Sequence, residues 1–237
     1  MRRPYIPAFI FSVLALIGLA IAPYMALLYA GIEKDMGLAQ KIFYYHVPCA
    51  FMMYAGFSVC FVSSILYLYT RKKSYDIWAY CGAEVGLLFC TLVLLTGPIW
   101  AKPIWGTWWT WDAQLTLTLM LWLIYVSYMM LHSYSEDSLQ SAKFRAVLSI
   151  VGFMDMPLIH YATKLWRTHH PQVIRGEKFG LPDDMKLAFY FCVFTFLMLF
   201  LALLFKRVSL EKARDALEAL KADVRDRKAI LGQVGSR

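Results

Sequence analysis

Six long apolar runs decide what this chain can fold into. An apolar helix rises about 1.5 Å per residue and needs roughly 20 residues to cross the hydrocarbon core of a bilayer. Stretches of that length occupy Ala8–Ala30, Tyr45–Leu68, Ile77–Ile99, Ala113–Leu131, Ala146–Leu165 and Leu187–Phe205. Asp155 and Pro157 interrupt the fifth, and Pro23 is expected to kink the first. Apolar residues make up 60% of the 237, against roughly 45–50% in soluble chains. A water-soluble fold of this length has nowhere to bury so much apolar surface. The expected class is all-α: a polytopic membrane bundle of six transmembrane helices over residues 1–206, then a charged cytoplasmic C-terminal helix over 207–237. Arg2 and Arg3 precede the first run as in a signal peptide, but the run exceeds the ~7–15 apolar residues of such a leader. It is read as an uncleaved span.

Lys and Arg in the short loops give the orientation. One side carries Arg2, Arg3, Arg71, Lys72, Lys73, Lys143, Arg145, Lys206 and Arg207; the other carries Lys34, Lys41, Lys102, Lys164, Arg167, Arg175, Lys178 and Lys186. The margin is nine to eight, and the basic tail adds to the first group. Both termini are therefore expected in the cytoplasm. In the tail, Ala213, Leu217, Leu220 and Val224 recur at spacings of four and three, the mark of a helix with one narrow apolar stripe.

Several chemistries are unrepresented. Cys49, Cys60, Cys81, Cys90 and Cys192 all fall within spans and form no C-x-x-C pair, which argues against a thiol redox motif, a zinc site or a covalent haem attachment sequence. The sequence has no phosphate-binding G-x-x-x-x-G-K-[ST] and no G-x-S-x-G elbow. The net charge of +8 sits mainly at the expected cytoplasmic face, where anionic lipid accounts for it without nucleic acid.

The chemically informative segment joins the third and fourth runs. Trp100, Trp105, Trp108, Trp109 and Trp111 are five of the eight tryptophans, packed into twelve residues. An interfacial belt would scatter them among several helix ends. Concentrated here, with Pro103 and Gly106 shaping the backbone, they point to a platform for a large flat apolar ligand. Asp112, just before the fourth run, is placed to cap that helix and to hold the platform.

Alternation of the spans brings three more groups to the same face. His46 opens the second run, and His169 and His170 follow the fifth. Imidazoles beside an aromatic platform fit haem, whose iron takes nitrogen axially, whose macrocycle stacks on aromatic rings, and whose propionates want cations. Lys102, Lys164, Arg167 and Arg175 are the candidate propionate partners.

The run Trp105-Gly-Thr-Trp-Trp-Thr-Trp-Asp112 resembles the signature of the tryptophan-rich (WWD) haem-handling proteins of cytochrome c biogenesis. Its flanks, Thr96-Gly-Pro-Ile-Trp-Ala-Lys-Pro103 and Ala113-Gln-Leu-Thr116, are similar to the six-span haem exporter protein C family (CcmC). The resemblance covers essentially the whole membrane portion. It implies non-covalent b-type haem held by two axial histidines: His46, and His170 counted from Trp166 and Thr168 in a W-x-T-x-H pattern. It implies no enzyme, but a subunit that presents haem to the periplasmic chaperone CcmE. The implied partners are an ABC-type ATPase with its membrane subunit and a small helical subunit. Gln114 departs from the Arg usual in the pattern, and Asp155 from a common Asn. Asp155 and Glu84 are intramembrane acids, read either as functional or as protonated and hydrogen-bonded. Two other classes stay open on the residues alone: a membrane b-type cytochrome, and a transporter of another flat ligand.

Overall fold

The computed structural model describes residues 5–134, 139–165, 174–175, 178–179 and 181–234. Six α-helices follow in order: α1 (Tyr5–Pro23), α2 (Phe43–Thr70), α3 (Lys73–Trp105), α4 (Ala113–Tyr134), α5 (Leu139–Leu165) and α6 (Asp183–Val234). Among the described residues the strand pairing is one short antiparallel ladder, β1 (Ile174–Arg175) on β2 (Lys178–Phe179). Among the described residues, five segments are long and apolar enough to cross a membrane: Ile6–Tyr29, Leu38–Thr70, Lys73–Trp105, Ala113–His132 and Asp183–Lys228. The remaining expected span falls on α5, which is 27 residues long, contains Arg145, Asp155 and Pro157, and is not one of those five.

Helix ends follow local chemistry. Regular α-helix in the first run stops at Pro23, and a six-residue π-helical turn, Tyr24–Tyr29, carries the chain on. Proline removes the amide that would bond four residues back, and the regular α ladder gives way to the π turn just after it. Arg71 ends α2 in the left-handed conformation (φ 56°), its N–H on the Tyr67 carbonyl at 2.8 Å. With Lys72 extended, α3 starts at once and runs back antiparallel.

α3 corrects one expectation. The tryptophan segment was expected to be a loop throughout, but the helix continues past Ile99, through Pro98 and Pro103, to Trp105. Gly106 stops it in a left-handed cap (φ 75°), its N–H on the Lys102 carbonyl at 3.0 Å. The first half of the tryptophan segment is therefore rigid helix.

The tightest helix pair is α2 with α3, and glycine makes it so. A Cβ on Gly56 would lie 2.5 Å from the Gly86 Cα, and one on Gly82 would lie 2.9 Å from the Cys60 nitrogen. Without lipid-excluding force between helices in a bilayer, such close backbone contact supplies the association. Around it, Phe57 stacks on Tyr125 of α4 (3.7 Å) and Phe61 on Phe153 of α5 (4.0 Å). Trp122 of α4 donates to the Thr91 hydroxyl of α3 at 2.9 Å. α1 packs along α6, and all five cysteines are buried within helix contacts.

The end of the bundle away from His46 is held by ions. Arg145 of α5, 1% exposed, pairs with Asp76 at the start of α3 at 2.8 Å. Glu84 accepts from Arg207 of α6, so this intramembrane acid is one half of an ion pair. Asp155 is buried, and its Oδ2 has no hydrogen-bond partner among the described residues. α6 continues without a break into the charged tail, where Lys73 of α3 meets Asp215 at 3.0 Å. The stripe of Ala213, Leu217, Leu220 and Val224 is exposed.

Gly56→Ala is expected to destabilise the detergent-purified protein by about 1–3 kcal/mol, because the added carbon meets backbone that no rotamer change can move. Leu95→Ala, on an exposed face, is expected to stay within about 0.5 kcal/mol. Thermal unfolding of both variants checks the contrast.

Candidate functional site

The register set by Gly56 and Gly86 carries ten residues along both antiparallel helices, to His46 on α2 and Thr96 on α3. That is about 15 Å from the glycine contact at 1.5 Å per residue. His46 is 6% exposed. Its Nδ1 lies 2.8 Å from the Thr96 Oγ1, and Thr96 in turn donates to the Leu92 carbonyl at 2.7 Å. The imidazole Cε1 faces Gly97, where a built Cβ would come within 3.5 Å. One turn on, the Trp100 ring stands 5.6 Å from the imidazole at 58°.

Trp100 differs from its neighbours in the segment. It is 4% exposed and packs edge-on to Phe43 at 6.2 Å, in an apolar cluster with Tyr44 and with Met185, Phe189 and Cys192 of α6. Its indole forms part of the wall behind His46 and is no exposed platform. Trp105 and Trp109 are half-buried, while Trp108 and Trp111 are 57% and 70% exposed. Trp109 meets Trp111 edge-to-face at 5.7 Å, and the Lys102 ammonium lies 5.9 Å over the Trp108 ring while donating to the Gly106 carbonyl at 2.9 Å. Trp111 has φ 53°, a conformation that costs a bulky residue about 1–3 kcal/mol and collects at functional sites.

Asp112 holds that turn. Its Oδ1 accepts from the Leu115 N–H and its Oδ2 from the Thr110 hydroxyl, both at 3.0 Å. The carboxylate thus caps α4 as expected, satisfying an amide that the helix leaves open.

Beside the histidine, residues 30–42 are tied to α6. Lys41, buried in a 3₁₀ turn (Leu38–Ile42), donates to the carbonyls of Ala30 and of Gly31, the latter at 2.9 Å. Asp184 accepts from the Gly31 N–H at 2.8 Å. These contacts fix the approach of the chain into α2 and so the height of His46.

The structure brings together His46, Trp100 and Thr96, and it strings the other tryptophans along the same end of α3. Arg167, His169 and His170 lie outside the described residues. So do the side chains of Lys164 and Arg175. α5 runs from Arg145 toward the histidine end, and its last described turn ends at Leu165. His132 stacks on Tyr80 at 3.7 Å, near the start of α3 and away from His46. Thr96, Lys41 and Asp184 were not singled out in the sequence as site residues. A threonine four residues before Trp100, on the helical face that meets His46, was the available signal for the first.

A family model described as "Heme exporter protein C" matches residues 4–223. The chain is 31% identical over 211 residues to the heme exporter protein C of Haemophilus influenzae, covering 88% of this chain and 85% of that protein. It is 32% identical to the one of Bradyrhizobium diazoefficiens, over 92% of this chain and 83% of that protein. With the one of Paracoccus denitrificans it shares 34% identity, over 80% of each.

Asp112→Ala is expected to lower the stability of the purified protein by about 1 kcal/mol through loss of the cap, whereas Asp112→Asn, which keeps an acceptor, stays within a few tenths. Melting curves of the two variants side by side check this.

Proposed function

The chain belongs to the haem exporter protein C family, and from that membership we propose that it holds haem at the outer face of the inner membrane and presents it to a periplasmic haem chaperone during cytochrome c maturation. Haem is cargo here. His46 and His170 take the iron from opposite faces, without covalent attachment. Trp108, Trp109 and Trp111 offer aromatic surface to the macrocycle, Trp105 and Gly106 shape the edge, and Lys102 and Arg167 neutralise the propionates. Trp100 backs the His46 imidazole, and Asp112 holds the tryptophan turn.

One observation carries the reading. A buried histidine is wedged against Thr96, Gly97 and Trp100 at the head of the tryptophan segment that marks this family. In an imidazole held through Nδ1, Nε2 is the nitrogen suited to a metal, and an aromatic wall suits a flat apolar ligand. The family's description as an exporter favours a handling subunit over a catalyst. The chain has no nucleotide-binding motif. An ABC-type ATPase and its membrane subunit supply any energy input, the chaperone CcmE receives the haem, and a small helical subunit completes the complex. In this reading α5 is the fifth of six spans, both termini are cytoplasmic, and α6 beyond residue 206 is a charged continuation of the last span at the inner face.

His46→Ala and His170→Ala are each expected to shift the Soret band of the purified protein and to weaken haem retention by about tenfold or more, the scale that losses around a metal centre reach. His169→Ala leaves both unchanged. A wild-type spectrum in His46→Ala defeats the axial assignment.

Single cysteines at Thr107 and Gln172, in a background lacking the native five, are expected to react with a membrane-impermeant maleimide in intact cells. Cysteines at Ser74 and Ser138 react only after the cells are opened. Labelling of Thr107 and Gln172 from opposite sides would separate the tryptophan turn from the second histidine and end the shared-site reading.

A further inference from the structure

We propose that Thr96 is the positioning residue for His46: its hydroxyl oxygen accepts the Nδ1 proton of the imidazole and so presents the Nε2 lone pair to haem iron. The inference rests on the reading of His46 as an axial ligand.

The direction of the hydrogen bond follows from counting protons. A threonine hydroxyl has one proton, and the Leu92 carbonyl, 2.7 Å from Oγ1, can only accept. With that proton committed, the lone pair of Oγ1 faces Nδ1 at 2.8 Å, and the imidazole must be the donor. A neutral imidazole with its proton on Nδ1 carries its lone pair on Nε2. The ring is 6% exposed, so bulk water does not compete for Nδ1. Its plane is fixed by the neighbouring positions of α3. Gly97 lies under Cε1, with 3.5 Å to a built Cβ, and the Trp100 ring stands 5.6 Å away. Thr96, Gly97 and Trp100 thus form one helical cradle, in which the threonine sets the tautomer and the other two set the ring plane.

The bond has an electronic consequence. An acceptor on Nδ1–H makes the imidazole a stronger donor to metal. Stronger donation favours ferric over ferrous iron, so the threonine lowers the reduction potential of the bound haem. Thr96→Val keeps the shape and removes the acceptor; Thr96→Ser keeps the acceptor.

The experiment uses the full chain, purified in detergent with its co-purifying subunits and loaded with haem, as wild type, Thr96→Val, Thr96→Ala, Thr96→Ser and His46→Ala. It reads the ferric low-spin EPR spectrum, the reduction midpoint and the rate of haem loss to apomyoglobin. Thr96→Val is expected to raise the midpoint, change the EPR g values and speed haem loss about tenfold, with Thr96→Ser close to wild type. Thr96→Ala, which introduces no new contact, carries the same expectation if the valine variant does not fold. The proposal is overturned if Val and Ala match wild type in midpoint and g values while His46→Ala changes them, or if Ser is perturbed as much as Val. If His46→Ala also matches wild type, the axial assignment itself has failed, and the role of Thr96 falls with it.

Discussion

The contact of backbone on backbone between α2 and α3 sets the geometry of the rest. Where Gly56 faces Gly86 and Gly82 faces Cys60, the two helices share one antiparallel register. His46 and Thr96 fall in that same register ten residues on, and they are in contact. A slip of one residue would turn the imidazole about 100° from its partner, given 3.6 residues per turn. Glycine therefore acts at a distance: no glycine of this crossing touches the histidine, yet together they determine which residue the histidine meets. The short turn at Arg71 and Lys72 fixes the same register from the other end.

Charge fixes what glycine does not. In a bilayer a lone buried ion is costly, and a pair is tolerated when the geometry is good and further hydrogen bonds satisfy both groups. Arg145 bonds both Asp76 and Ser141, which fastens α5 to α3. Arg207 bonds Glu84 and approaches Glu211 within its own helix at 3.7 Å, which fastens α6 to α3. Each pair has little value as net stabilisation, and its worth lies in specificity: each ties an acid of α3 to an arginine of one neighbouring helix. α3 is thus the reference element, held by glycine to α2 and by ions to α5 and α6. The same helix carries Thr96, Gly97 and Trp100 to the site.

Five of the six expected spans were legible because length and apolarity are local properties, and so was the Asp112 cap, which depends on the three residues after it. The end of α3 was not. An apolar run breaks at Pro98 and Trp100, but a helix backed by neighbours continues through proline until Gly106 stops it. Tryptophan clustering marked the segment without revealing its division: Trp100 is buried in the core while Trp108 and Trp111 are exposed. Glu84 showed as an acid in a span, but its partner Arg207 stands 123 residues away and no local pattern predicts it. Thr96 was hidden for a related reason. Threonine is ordinary in membrane helices, and only the α2–α3 register shows that it faces a histidine.

That division among the tryptophans bears on the difference between keeping a haem and passing it on. A resident cofactor is closed over on both faces by packed side chains, so that leaving requires the core to open. Here one wall is built into the core: Trp100, beside His46, sits within packing shared by Phe43, Tyr44 and Phe189. The turn that follows has the opposite character, with two large indoles exposed and Trp111 held at positive φ between the end of α3 and the Asp112 cap. Exposed aromatic surface favours any apolar partner that covers it, whether the macrocycle or the apolar rim of a protein taking the macrocycle away. In the proposed site, a fixed imidazole would supply orientation, and stacking on exposed indoles would supply affinity that a receiving protein can replace contact by contact. The proposed handover needs that combination, because a ligand gripped equally on every side would bind more tightly and transfer more slowly.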